Sequence, residues 1–303
     1  MEFLRIVARV ACGPALGSPT REASKTLQQI LKDGGNACWT GKTIPSHPNV
    51  PIFVKPSTCC TPEKSVVRLA RAWTVHRGKS IGTRSETDAP SGVDYTAWLG
   101  SAAERPFHPA RFHGSWQWFW DFGTGALGRY GVHTLDTARW GLGLELPTRV
   151  SASGGIYHFH DDRQTPDTLC VQFDYPDATI AWEHRLWSTR GPEGRSEGTA
   201  FYGELGTLVI DRGGYKIYGR SEAPVGDGHR ADDDHLANFI DCLRSREMPR
   251  ADIATGATSA TLCHLGNLAH RLGREVNWDE DDGGFGEDIE AMTLAETGHD
   301  DHV

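Results

Sequence analysis

The fold is decided by residues 118–141, which read WFWDFGTGALGRYGVHTLDTARWG. The first half is aromatic and runs into a glycine-rich loop. The second half repeats apolar residues at helical spacing, namely Val132, Leu135, Ala138 and Trp140. We therefore predict a helix over 131–141 that follows the loop directly. His133 and Asp136 lie three residues apart and share one face of that helix.

The loop Gly123–Gly128 matches the pattern G-x-G-x-x-G. A dinucleotide site of this type needs a strand before the loop, a helix after it and an acidic residue at the end of the next strand. The aromatic stretch before Gly123 lacks the β-branched character of a buried parallel strand. The next strand candidate begins near Arg149 and has no acid at its end. We therefore interpret the loop as a turn that leads into the helix.

His133 is the candidate for proton transfer, because an imidazole exchanges protons with a hydroxyl near neutral pH. The Asp136 carboxylate either orients that imidazole or binds a hydroxyl, and the alternative is a structural histidine with a polar neighbour. Arg129 lies one turn earlier and is expected to lower the pKa of His133. His158 and His160 would point the same way on a strand, but we favour an exposed strand end there and predict no metal site.

On either side of this segment, runs of β-branched and aromatic residues predict six strands. They are Val66–Val75, Arg149–Phe159, Thr168–Tyr175, Thr179–Leu186, Thr199–Tyr202 and Thr207–Ile210. A hairpin turn at Pro176-Asp177 favours antiparallel pairing. Two helices are predicted after Asp232, the first ending before Pro249 and the second covering 251–272. The predicted fold class is α+β, an open and mostly antiparallel sheet with helices on one face.

Alternation along the strands predicts two different sheet faces. Leu169, Val171 and Phe173 fall on the side opposite Cys170 and Gln172. Trp182 and His184 also share a side, opposite Glu183 and Arg185. We expect the two C-terminal helices to cover one face. A mixed face with Trp and Arg is typical of protein interfaces, so we predict a homodimer, or a tetramer of dimers, joined through the sheet.

Both ends of the chain differ from this middle part. Residues 1–65 break every apolar run with Gly, Pro, Ser, Thr or Lys, and we interpret them as an irregular or remnant region. Residues 66–278 form the predicted domain. Residues 279–303 hold ten of the 40 acidic residues and no Lys or Arg, and we expect a mobile acidic tail there.

Composition excludes several classes of protein. Without the acidic tail, the acids and the 31 basic residues nearly balance, which argues against a nucleic-acid binder. No apolar run reaches the length of a membrane span. The seven cysteines are scattered without metal-ligand spacing, which is typical of a reducing compartment, so we expect a cytoplasmic protein.

Eight ordered stretches resemble the C-terminal domain of the Gfo/Idh/MocA oxidoreductase family, most closely a bacterial subgroup abundant in planctomycete-type genomes. They are Arg71-Ala72-Trp73, Gly92–Gly100 with Arg105-Pro106-Phe107, Arg111-Phe112-His113, Trp118–Gly125, Gly131–Gly141, Gln164–Thr168, Asn238–Cys242 and Cys263–Ala269. The resemblance covers roughly 70% of the chain, from residue 66 to 279.

The resemblance implies NAD- or NADP-dependent hydride transfer at a sugar or cyclitol hydroxyl. It assigns catalysis to His133, with Lys55 of Val54-Lys55-Pro56 matching the lysine of a Glu-Lys-Pro motif in which Val replaces Glu. Arg129 stands where the family has the Asp of an Asp-x-x-x-His motif. With Asp136 and Asp121, Arg129 is expected to bind the substrate. No cofactor-binding residue is assigned.

The family places a Rossmann domain upstream, for which 70 residues before Arg71 are too few, so we expect no complete Rossmann domain and a truncated or rebuilt start. Two hypotheses follow. Either the chain is a sugar oxidoreductase of this type, or it is a substrate-domain remnant, possessing no cofactor, that binds ligand or self-associates without catalysis.

Overall fold

The strand Val67–Val75 lies in the middle of the sheet, and its second half, Ala72–Val75, is buried on both sides. The computed structural model describes residues 67–100, 102–204, 206–219, 224–229, 233–249, 251–279 and 283–297. Lys55 and the predicted irregular region 1–65 lie outside them.

The described residues build a nine-stranded sheet in which the order is β8-β7-β6-β5-β1-β4-β3-β2-β9. The strands are β1 (Val67–Val75), β2 (Arg149–Gly155), β3 (Thr168–Asp174), β4 (Thr179–Arg185), β5 (Glu197–Gly203), β6 (Gly206–Asp211), β7 (Gly214–Tyr218), β8 (Pro224–His229) and β9 (Val276–Asn277). Within this sheet only β1 and β4 run parallel, and the other pairs are antiparallel. The predicted fold class is confirmed, and the hairpin turn after Tyr175 closes with a bond from its N–H to the Ala178 carbonyl.

The described helices are α1 (Tyr95–Leu99), α2 (Val132–Leu142), α3 (Asp233–Ser245), α4 (Ile253–Leu272) and α5 (Ile289–Thr297). A π-helical turn, Leu127–Gly131, leads directly into α2. Gly131 is required there, because a Cβ would lie 2.9 Å from the Leu127 side chain and 3.0 Å from the Trp182 ring. The aromatic loop and α2 thus pack closely over β4.

The main core lies between the sheet and helices α2, α4 and α5. Phe173, Trp182, Phe201, Leu135 and Leu265 are its large buried members. Trp182 and His184 therefore face the helices, on the side opposite Glu183 and Arg185. The opposite, open face carries Arg71, Glu183 and Arg185 in an ion-pair network (2.7 and 3.0 Å) with exposed Cys170 beside it.

Two expectations about the C-terminal part are also corrected. The apolar stripe of α3 stays exposed at Phe239 and Leu243 (52% each), because α4 already fills the space beside α2. The acidic segment after 279 was expected to be mobile, yet Ile289–Thr297 is a helix whose Ala291 and Leu294 are buried in the core. Arg274 holds its start through Asp288 (2.7 Å) and Glu290 (2.9 Å).

Candidate active site

Two of the residues singled out by the sequence, His133 and Arg129, lie where the parallel strands β1 and β4 end and β5 begins. The register pairs Val75 with Arg185 and Thr74 with Glu197, which places these strand ends side by side. His76 follows β1 directly, and the π-helical turn and α2 cross over the same strands. We call this the catalytic edge.

The start of α2 is held by three hydrogen bonds around Thr134, two of which reach the sheet. The Trp182 ring nitrogen donates to Thr134 Oγ1 (3.1 Å), and that hydroxyl donates to the Gly131 carbonyl (3.3 Å). Thr199 Oγ1 of β5 donates to the Thr134 carbonyl (2.9 Å). Because Thr134 follows His133, these bonds set the position of the candidate proton-transfer residue.

His133 is half-buried in the first turn of α2. Burial lowers the pKa of its imidazole, and the Arg212 guanidinium lowers it further, while Asp136 and Glu197 raise it. The expected direction of the shift is therefore found, but its source is corrected: the charge comes from Arg212 rather than Arg129. A neutral imidazole at this position can accept a proton.

Asp136 is close enough to His133 to act on its pKa, but its carboxylate is already engaged. Oδ1 accepts hydrogen bonds from Ser259 Oγ of α4 (2.5 Å) and from Arg139 Nη2 (3.3 Å). Arg139 is buried and also contacts Glu145 (3.1 Å). Asp121 forms an ion pair with Arg105 (2.6 Å). It is not among the charged groups that shift the pKa of His133.

Arg129 projects from the π-helical turn and is exposed. Its Nη1 donates to Gln117 Oε1, and the Gln117 amide nitrogen donates to the Gly114 carbonyl (2.7 Å), which fixes the orientation of the amide. The guanidinium carbon lies 5.2 Å from the centre of the neighbouring Tyr130 ring. The neutral Gln117 amide thus orients the Arg129 guanidinium and leaves its positive charge unneutralised.

Sequence analysis missed two histidines at this edge. His76 packs edge-on against Tyr130, with ring centres 4.8 Å apart, and burial and Arg129 lower its pKa. His184 is fully buried, and Nε2 lies 3.0 Å from the Pro166 carbonyl. Burial lowers the pKa of His184 to about 4, with His76 and His270 adding to the effect. The signal was available, since each histidine sits at the end of a predicted strand.

The glycines of Gly123–Gly128 serve the packing of the chain itself. A Cβ at Gly123 would collide with the Gln117 backbone, and one at Gly128 with the Thr124 side chain. Gly125 has a φ of 62° and lies against Thr165. A 3-10 turn and a bend precede the loop instead of a strand. These residues do not fit a dinucleotide phosphate site, as the sequence context indicated.

The described residues contain no group of three or more His, Cys, Asp or Glu side chains arranged to hold a metal ion. None of their helices has the length and apolar character needed to cross a membrane. His158 lies instead against Trp187, with ring centres 5.9 Å apart.

Residues 71–178 match the family model described as "Oxidoreductase family, C-terminal alpha/beta domain". This stretch is similar to the Gfo/Idh/MocA family. It contains most of β1, the glycine loop, the π-helical turn and α2, and so includes His133 and Arg129. Among curated proteins, none matches the chain.

Several solved structures are similar to this chain. Aldose-aldose oxidoreductase from Caulobacter crescentus, complexed with glycerol, has 16% identity and a TM-score of 0.48, covering 70% of this chain and 55% of that one. WlbA dehydrogenase from Bordetella pertussis, with NADH and UDP-GlcNAcA, has 13% identity and a TM-score of 0.47, covering 85% and 60%. An Agrobacterium radiobacter oxidoreductase, in complex with NAD+, L-tartaric acid and magnesium, has 13% identity and a TM-score of 0.48. The match covers 84% of this chain and 61% of that one. The chain thus spans 55% to 61% of the length of these proteins.

Proposed function

We propose that the chain is a Gfo/Idh/MocA-type oxidoreductase that acts on a hydroxyl of a sugar or cyclitol. The observation that carries the proposal is the family match over residues 71–178, which includes the edge where His133, Arg129 and His76 lie. The sugar binds across this catalytic edge, between the start of α2 and the ends of β1 and β4.

His133 takes the proton of the substrate hydroxyl in oxidation and returns it in reduction. Its lowered pKa keeps the imidazole neutral near pH 7, which is the form that accepts a proton. Once protonated, the ring is balanced by Asp136 and Glu197, whose charges stabilise the imidazolium. Thr134 and Trp182 hold the helix turn so that this proton transfer has a fixed geometry.

Lys55, where the resemblance places the catalytic lysine, lies outside the described residues and stays part of the proposal. Asp136 orients α2 beside His133 through Oδ1, which accepts hydrogen bonds from Ser259 and Arg139. Asp121 supports the loop through Arg105. Arg129 keeps free donors and is the substrate-binding residue of the three.

NAD or NADP is the hydride acceptor that the resemblance implies. The loop Gly123–Gly128 does not fit its phosphates, since the atoms of the chain itself fill the space around Gly123 and Gly128. We therefore expect the purified full-length chain to bind NADH more weakly than the low micromolar range, measured by titration of NADH fluorescence.

Turnover is the test of the proposed function. The full-length chain is incubated with a panel of sugars and cyclitols and millimolar NAD+ or NADP+, and reduced cofactor is followed by absorbance. Reduction that depends on both sugar and enzyme supports the proposal. Saturable sugar binding without turnover under every condition would favour a non-catalytic ligand-binding domain.

The proposal includes self-association into a homodimer, or a tetramer of dimers, through the open sheet face. That face holds the Arg71–Glu183–Arg185 network, and Leu69 on the same strand is 41% exposed. Alternating charges of this kind are self-complementary across a two-fold axis, because Arg of one copy meets Glu of the other.

A further inference from the structure

The two ends of the catalytic edge differ in electrostatic balance. At His133, the positive charge of Arg212 is opposed by Asp136 and Glu197. At His76, Arg129 acts with no opposing carboxylate among the causes of the shift. Arg212 also forms an ion pair with Glu197 (2.8 Å), whereas Arg129 has no carboxylate partner among the described residues.

Arg129 is prepared to bind an anion. In the described part of the chain, no carboxylate lies within salt-bridge distance of its guanidinium, and Gln117 occupies only one of the five N–H donors. Gln117 is itself held by Gly114 (2.7 Å), and Gly123 allows the Gln117 backbone to approach the loop. A guanidinium that is oriented in advance loses less entropy when it binds a planar or tetrahedral anion.

The surroundings of Arg129 favour a ring-shaped ligand with one charged group. The Tyr130 ring lies 5.2 Å from the guanidinium and 4.8 Å from the His76 ring, so an aromatic wall and a neutral imidazole border the charge. His133 lies four residues later in the chain, an axial rise of about 6 Å. A pyranose ring spans about that distance between a ring hydroxyl and a substituent at C6.

We propose that Arg129, with Tyr130 and His76, binds the carboxylate or phosphate of an acidic sugar whose reacting hydroxyl lies at His133. This inference rests on the proposed function, which it narrows from sugars in general to sugars with an anionic group. The charge is recognised by the fork of Arg129 N–H donors, and His76 supplies a further hydrogen bond. Arg129 is the residue that determines this specificity.

The test is calorimetric titration of the full-length chain with D-glucuronate, D-glucose 6-phosphate and D-glucose. A charge-assisted pair accounts for roughly a 10- to 100-fold difference in affinity. We expect at least one of the two acids to bind 10-fold or more tightly than glucose, and the stronger one identifies carboxylate or phosphate. Arg129→Ala removes the difference between the acids and glucose, and Arg129→Lys retains part of it.

The matched control is Arg68→Ala, which removes an exposed arginine at the opposite end of β1. It should leave all three affinities unchanged. Equal affinities for acids and glucose, no saturable binding of either acid at millimolar concentrations, or an acid preference that survives in Arg129→Ala would each overturn the inference.

Binding and turnover separate this inference from the proposed function. Acid-selective binding that depends on Arg129, without any sugar oxidation, would leave the anion site standing and contradict the oxidoreductase proposal. Oxidation of neutral and acidic sugars with the same efficiency, unaffected by Arg129→Ala, would support the oxidoreductase and contradict the anion site.

Discussion

The Trp182 ring nitrogen donates a 3.1 Å hydrogen bond to Thr134 Oγ1, and both groups are buried between β4 and α2. This bond joins the central part of the sheet to the residue that follows His133. The Thr134 hydroxyl in turn donates a hydrogen bond to the Gly131 carbonyl (3.3 Å). The position of the candidate active residue therefore depends on a polar contact inside the core.

Thr134→Val keeps the shape of the side chain but removes the acceptor of Trp182. We expect a loss of about 1–3 kcal/mol in the free energy of unfolding, because a buried N–H is left unpaired. Urea denaturation measures it. Thr258→Val is the matched control, since its hydroxyl bonds only to the Ala254 carbonyl of its own helix, and its effect should stay within about 0.5 kcal/mol. Equal effects of the two variants would contradict the role of the Trp182 bond.

Gly128→Ala introduces a Cβ where the Thr124 side chain lies, and the Thr124 carbonyl in turn accepts a bond from Asn267 (2.9 Å). We expect a destabilisation of about 1–3 kcal/mol. Gly256→Ala in α4 meets no atom within 4 Å, so it should stabilise the protein by up to about 1 kcal/mol through helix propensity. Thermal unfolding of the two variants should therefore shift in opposite directions. A Gly128→Ala variant as stable as the wild type would show that the Thr124 side chain does not fill the space around Gly128, so the loop could serve a function other than packing.

His184 makes the stability depend on pH. Its folded-state pKa of about 4 lies below the unfolded value of 6.5, so protons bind preferentially to the unfolded chain as the pH falls between these values. The contribution of His184 is complete above pH 6.5 and is lost as the pH falls through 4. It should lower the free energy of unfolding by about 2 kcal/mol between pH 7 and 5.

His184→Gln keeps a donor for the Pro166 carbonyl but does not titrate, so its stability should vary less between those pH values than that of the wild type. Urea denaturation at both pH values gives the comparison. His160→Ala, at an exposed loop position, is the control and should keep the wild-type dependence. Parallel pH profiles for the wild type and His184→Gln would assign the dependence to other groups.

Assembly through the open face is sensitive to charge reversal. Glu183→Arg turns the Arg71–Glu183–Arg185 network into three positive charges, which repel one another within the chain and across an interface. We expect the wild type to elute at twice or four times the chain mass in size-exclusion chromatography with light scattering. Glu183→Arg should shift toward the monomer, whereas Glu247→Arg, exposed after α3, should not. A monomeric wild type at tens of micromolar would contradict the proposed assembly.

The strands with strict alternation were the predictable part of the fold. Leu169, Val171 and Phe173 are buried on one side of β3 as their spacing indicated. Strands β7, β8 and β9 were missed because they are short or rich in glycine, and pairing with a neighbour rather than local propensity makes them strands. The burial of Ala291 and Leu294 was missed because the acidic residues around them dominate the local composition.

The candidate site was predictable in its residues but only partly in its geometry. His133 and Arg129 were identified from the sequence, yet the π-helical turn that carries Arg129 leaves no signal in the spacing of apolar residues. The contribution of Arg212 to the pKa of His133 depends on the ends of β5 and β6, which lie far from His133 in sequence. Such contacts arise from topology, which the local pattern does not encode.

The most direct test of the account is the rate of cofactor-linked sugar oxidation by His133→Ala, compared with the wild type and with His160→Ala, across a range of pH. The wild-type rate should fall as the pH drops below the lowered pKa of His133, because the protonated ring accepts no further proton. His133→Ala should be slower by about 100-fold or more and should lose that pH dependence, while His160→Ala keeps both. A His133→Ala variant with the wild-type rate and pH profile would show that His133 is a structural residue and would contradict the proposed mechanism.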